Sequence, residues 1–138
     1  MQVTSAATAA NGFYTIAAAA TNGADATKTG SASATYVVMS SLTVQVSTSQ
    51  ASYSRNQTVS VTAKVWAGSS VASGASVTFT MTKSNGSVVT GTATTDASGS
   101  ASYALLLKRK DPLGTYQASA TASLNGVSGS GTTSFTVK

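Results

Sequence analysis

Few side chains in this sequence could carry chemistry. Histidine, cysteine and glutamate are absent, and Asp25, Asp96 and Asp111 are the only acids. Without histidine there is no Ser-His-Asp triad, and without cysteine no thiol nucleophile, disulfide or zinc-thiolate site. A Ser-Lys pair would need a pocket that no spacing here indicates. A glycosidase needs two carboxylates flanking one bond, whereas each aspartate lies near a predicted turn, where such side chains ordinarily bond their own backbone. Asp96 with Ser98 offers oxygens to calcium, yet that ion takes a larger oxygen set, usually with several carboxylates. A Lys-Asn cross-link needs a buried acid beside both residues, and no acid falls on a predicted strand face. The chain is therefore read as non-enzymatic, with no catalytic residues, no metal and no cofactor.

Side chains that could make contacts are easier to find. Trp66 falls on the outward parity with Lys64, and with Tyr53 it could form a platform for stacking on a sugar ring or anchoring a partner. The competing and preferred reading is that the strand ends or bulges near Gly68 and Trp66 turns in to cap the core. Lys108, Arg109 and Lys110 form the one charge cluster. Its default reading is a solvated loop, and its functional one is contact with an anionic glycan, teichoic acid or lipid surface. The net charge of +5 reflects scarce acids more than abundant bases. No basic face with interleaved aromatics is present, so no nucleic-acid partner is read. Asn56-Gln57-Thr58 and Asn85-Gly86-Ser87 match the glycosylation sequon, a short pattern that by itself means little.

The elements that must position these residues are strands. Charged residues make up 8% of the chain, far below the usual quarter, and Ser, Thr, Gly and Ala dominate. Such a hydroxyl-rich surface is common in exported bacterial proteins. Val, Tyr and Phe nevertheless recur with a period of two, which disordered tracts lack. Leu42, Val44 and Val46 share a face, as do Val59, Val61, Ala63 and Val65, and then Ala75, Val77, Phe79 and Met81. Asn85-Gly86 suits a type I′ hairpin turn leading into SVVTGTATT. Asp96 to Gly99 reads as a further turn, before a strand that faces Ala101, Tyr103, Leu105 and Leu107 inward. Pro112 bars the KRKDPLG connection from a central strand. Tyr116, Ala118, Ala120 and Ala122 then face in, and GTTSFTVK closes the chain. Seven strands in about a hundred residues predict an all-β, immunoglobulin-like antiparallel β-sandwich over 41–138.

Residues 1–40 are read separately. GFYTIAAAATNG at 12–23 is a near twin of GTYQASATASLNG at 114–126, so this stretch is expected to add an N-terminal β-hairpin, the terminal hairpin of an upstream module or added strands. The Ala17–Ala20 run has helix propensity, but its flanks and its twin favour a strand. Met1 is read as the start of an expressed fragment, since MQVTSAATAANG lacks the basic and apolar regions of a signal peptide. No stretch approaches the roughly 20 apolar residues of a membrane helix, so no membrane insertion is read.

The segment Asp111-Pro-Leu-Gly114-Thr-Tyr116 resembles the opening of strand F in immunoglobulin folds, where a tyrosine hydroxyl bonds back to the backbone. Here one extra residue separates Asp111 from Gly114, and Ala118 stands where antibody domains place cysteine. Asp111, Gly114 and Tyr116 are accordingly read as a structural corner.

Tyr53, Asn56-Gln-Thr-Val59, Ala72-Ser-Gly-Ala-Ser-Val-Thr-Phe79, Thr95-Asp-Ala-Ser-Gly99 and Gly114-Thr-Tyr116 together resemble the bacterial immunoglobulin-like repeats related to macroglobulin MG2 domains. Asn56 replaces the usual Gly, and Ala72 stands where Pro or Val is common. The first 39 residues, with Asn11-Gly-Phe-Tyr14-Thr-Ile16 and an alanine-rich strand, resemble the tail of immunoglobulin-like modules appended to secreted subtilisin-type proteases and other exported hydrolases. The resemblance implies a non-catalytic spacer or adhesion accessory module of a secreted or cell-surface bacterial protein, with neighbouring Ig-like or catalytic domains as partners. Two alternatives stand beside it: a module binding cell-surface or insoluble polysaccharide through Trp66 and Tyr53, and an oligomer or filament subunit that self-associates by strand sharing through the hairpin.

Overall fold

The computed structural model describes residues 12–38 and 41–138, which divide into two units on either side of residue 40. The described residues contain strands and no helix.

The first unit is a single antiparallel hairpin, β1 (Gly12–Asn22) and β2 (Asp25–Val38). Asn22 closes its turn by accepting the Ala24 N–H at 2.9 Å. Tyr14 and Tyr36 face each other across the strands and stack at 5.5 Å. Such a cross-strand aromatic pair favours the extended form, against the helix propensity of the alanine run. Among the described residues no third strand joins this sheet.

The second unit is a β-sandwich. One sheet holds β3 (Thr43–Thr48), β5 (Thr58–Ala67) and β9 (Ser100–Leu106), with the short β6 (Ser70–Val71) paired to the end of β5. The other runs β4 (Ser52–Tyr53), β11 (Val127–Val137), β10 (Gly114–Leu124), β7 (Ser76–Thr82) and β8 (Val88–Thr94). The seven longer strands are those read from the alternation in the sequence. β4 and β6, two residues each, have no period to reveal them. All pairings are antiparallel except β4 with β11.

The core follows the period of two. Val59, Val61, Ala63 and Val65 face Val77, Phe79, Met81, Ala118 and Ala120, all fully buried. Because alanine supplies so much of β10, aromatic rings fill the remaining space: Tyr116 and Tyr53 both pack on Phe135, at 5.3 Å and 5.4 Å. Tyr103 of β9 reaches across to stack on Phe79 at 6.0 Å, over Gly91 of β8, where an added Cβ would meet its ring at 1.9 Å. The opening of β3 lies across β11, and Leu42 donates its N–H to the Ser128 carbonyl at 3.0 Å.

One turn differs from its sequence reading. At Asn85-Gly86 the type I′ form would require positive φ at both residues, but only Gly86 has it. Lys83 donates its N–H to Ser87 O at 2.8 Å and Gly86 to Lys83 O at 2.9 Å, a three-residue loop with glycine in the left-handed position. The Asn85 carboxamide explains the change, since its oxygen accepts from Ser87 N–H and Ser87 Oγ. The two-residue loop with positive φ at both positions lies instead at Asn125-Gly126.

Candidate functional site

Strand direction gathers the basic residues of 41–138, Lys64 excepted, at one end of the sandwich. β3, β9 and β11 run toward this end, and β5, β8 and β10 start from it. Its loops are 48–57, 83–87 and 107–113. Asp111 is the organiser, buried although it lies in a loop. Its carboxylate contacts Lys83 Nζ through one oxygen and accepts the Lys108 N–H at 2.8 Å through the other. Its carbonyl accepts Arg55 Nε–H at 2.8 Å. Burial by itself pushes the Asp111 carboxyl up, but the Lys83 ammonium and the Lys108 N–H outweigh it and hold the group below the usual carboxylate range.

The neighbouring corner is built on the same loop. Tyr116, fully buried at the start of β10, donates its hydroxyl hydrogen to Pro112 O at 2.9 Å. Burial, and then the Asp111 charge, push the Tyr116 hydroxyl above its ordinary value. Gly114 has φ of 117° and lies close under Ser84, whose hydroxyl donates to Leu113 O at 2.7 Å. Lys108, Arg109 and Lys110 occupy the tip of the loop and are exposed. They are held there by the Asp111 N–H, which bonds to Lys108 O at 3.0 Å.

The aromatic platform read from the sequence is not formed. Tyr53 is 3% exposed, with its ring against Phe135 and its hydroxyl accepting the Gln50 N–H at 2.8 Å. Its β4 pairing with β11 pulls it into the core, a contact that two residues of strand could not announce. Trp66 sits at the other end of β5, opposite Thr43. It does not turn in: Val65 takes the buried position, the β3–β5 register continues unbroken through Trp66, and Lys64 Nζ lies 5.8 Å from the Trp66 ring centre. Half-buried and outward, it carries the lysine on its face.

Asp96 is engaged by its own turn through one carboxylate oxygen. That oxygen accepts Ser98 N–H, Ser98 Oγ–H and Ser100 N–H, and these bonds hold its carboxyl below the ordinary range. Among the described residues no group of three or more acidic or other metal-ligating side chains comes together. Asp111, Gly114, Tyr116 and the Lys108–Lys110 run carry local sequence signals; Arg55 and Lys83 carry none, because their link to Asp111 spans long separations that periodicity does not encode.

No family model matches the chain, and no curated protein sequence matches it. Among solved structures it is similar to the crystal structure of a tetra-tandem repeat in the extending region of a large adhesion protein. The TM-score is 0.65 and the identity 26%, and the match covers 96% of this chain and 33% of that one. The chain thus spans about a third of that structure's length. A second match, to a DNA-bound alkylpurine DNA glycosylase of Pseudomonas fluorescens, has a TM-score of 0.48 and 12% identity, over 72% of this chain and 31% of the other; at that level it has no functional bearing. The likeness to an adhesion repeat supports a non-catalytic, adhesion-associated module.

Proposed function

We propose that this chain is a spacer within a tandem array of immunoglobulin-like modules in a secreted or cell-surface bacterial adhesion protein, and that residues 12–38 are the terminal hairpin of the preceding module. The carrying observation is the match to tandem adhesion repeats, which at 96% of the chain extends beyond 41–138 into the hairpin. The two hairpins also coincide in register. Gly12 pairs with Val38 as Gly114 pairs with Val137, and Tyr14 faces Tyr36 as Tyr116 faces Phe135. In the complete module β10 has β7 on its other edge; the corresponding edge of β1 would be taken by an upstream strand.

The mechanism is geometric. Residue 41 enters at one end of the sandwich and Lys138 leaves at the other, beside Tyr53. The 11-residue strands between them set a length of about 36 Å per module. A surface rich in serine and threonine limits nonspecific contact along it.

A sheet of two strands among the described residues, a size marginal on its own, favours a second reading, assembly by strand sharing with another chain. Light-scattering mass and urea unfolding of residues 1–138 and 41–138 separate the two. The spacer reading expects 41–138 to be monomeric with an unfolding midpoint equal to that of the longer chain. Early unfolding of 41–138, or oligomers formed only by 1–138, would make strand sharing the function.

A further inference from the structure

We propose that the Asp111 end of the sandwich is a binding site for a linear anionic polysaccharide. Every lysine and arginine of 41–138 other than Lys64 lies at this end: Arg55, Lys83, Lys108, Arg109, Lys110 and Lys138. They come from separate loops of both sheets, so their convergence is a property of the fold. Asp111 is the single acid among them and is already neutralised, with both oxygens occupied and its side chain buried. Lys83 is spent on that pair. Arg55 is anchored through Nε to the Asp111 carbonyl, which fixes the guanidinium in place while its terminal nitrogens keep their donors. Lys108, Arg109 and Lys110 stand exposed on a loop whose backbone is pinned by the same aspartate. The result is a pre-shaped cationic rim on which, among the described residues of 41–138, Asp111 is the one acidic side chain.

The chemistry of the rim selects its partner. The loops bridge two sheets, a separation of about 10 Å, wider than one anionic group can span, so the ligand carries several charges along its length. The aromatic rings near this end, Tyr53, Tyr116 and Phe135, are all buried; they offer no platform for nucleobases or for the stacking of a neutral sugar. A neighbouring module of the same kind is a poor match as well. Its opposite end presents a single acid, Asp96, with one oxygen already taken by Ser98 and Ser100 and the Lys64 charge nearby offsetting it, so one carboxylate would face a rim of several cations. A repeating anion without bases meets these requirements.

The test uses residues 1–138 on immobilised polygalacturonate and on heparin, which separate carboxylate from sulfate recognition, with neutral dextran and duplex DNA alongside. Binding to either anionic glycan is expected, weakening by about tenfold or more between roughly 50 and 200 mM salt. The combined Lys108→Gln, Arg109→Gln, Lys110→Gln variant should lose about tenfold in affinity. Its urea midpoint should not move, because the bonds made by this loop use backbone groups and Asp111. Lys64→Gln, outside the rim, should bind as the parent does. Absence of binding to both glycans, equal loss in Lys64→Gln, or preference for DNA over both would overturn the proposal. None of these outcomes depends on the role of the hairpin, so this site and the spacer reading stand or fall separately.

Discussion

Gly129 should be the least replaceable residue on β11, and its counterpart in the hairpin should be freely replaceable. A Cβ built at Gly129 lies 1.9 Å from the Leu42 carbonyl oxygen and 2.7 Å from its carbon. Its backbone is not in the left-handed region, so alanine is refused there by packing and not by φ. The obstacle is main chain, which cannot rotate away, and relief requires the start of β3 to lift by more than an ångström. That movement breaks the bond from Leu42 N–H to Ser128 O and unseats the Leu42 side chain, now 5% exposed. Overpacking of this kind costs about 1–3 kcal/mol and the lost bond about 1 kcal/mol, for a total near 3 kcal/mol. With a urea slope of about 1 kcal/mol/M for a domain of this size, the midpoint of Gly129→Ala should fall by roughly 2–3 M, followed by Trp66 fluorescence. Gly30 holds the equivalent position, paired with Ala20 as Gly129 is with Ala122, and a Cβ there meets nothing within 4 Å. Gly30→Ala should leave amide-exchange protection of β1 and β2 unchanged or raised. A Gly129→Ala midpoint within about 0.3 M of the parent, far short of that fall, would refute the seating of β3 on β11.

Three further outcomes follow from the corner. Tyr116→Phe removes the hydroxyl bond to Pro112 O and should cost about 1–1.5 kcal/mol in urea unfolding, with the fold retained. Acid should act through Asp111. Its carboxyl is depressed in the folded chain, so its contribution is present above the unfolded value of about 3.9 and is lost as pH falls through the lower folded value. The urea midpoint should therefore be flat from neutral pH down to about pH 5 and drop below about pH 4. Asp111→Asn should lose about 2 kcal/mol at neutral pH, the worth of a charged hydrogen bond, and show a shallower acid limb.

The fold was legible because its strands have one wet face. A period of two, sustained by valine, alanine and threonine, marks each long strand, and glycine or Asx-containing loops mark the breaks. Legibility failed where an outcome depends on partners distant in sequence. Tyr53 carries the same aromatic ring whether exposed or buried, and a parallel pairing with residues some eighty positions later decides which. Lys83 reads as a hairpin-turn lysine until the 107–113 loop brings Asp111 to it. The Asn85-Gly86 turn failed for a local reason, since the Asn85 side chain bonds Ser87 and settles the residue outside positive φ. Trp66, by contrast, keeps the outward side that plain alternation along β5 assigns it.

The paths of the first and last long strands bear on how the module carries load. β3 and β11 run the same way, with their outer ends at opposite poles, and β3 is bonded to β5 along its whole length, as β11 is to β10. A pull applied between residue 41 and Lys138 is directed along both strands and not across them. The ladder bonds are then strained together in shear, and no end offers a point from which they can be unzipped one by one. The parallel β4–β11 bridge at the exit pole adds its bonds in the same direction. Resistance to extension is thus set by strand order, independent of core size, and a core built largely of alanine and valine is no handicap to it.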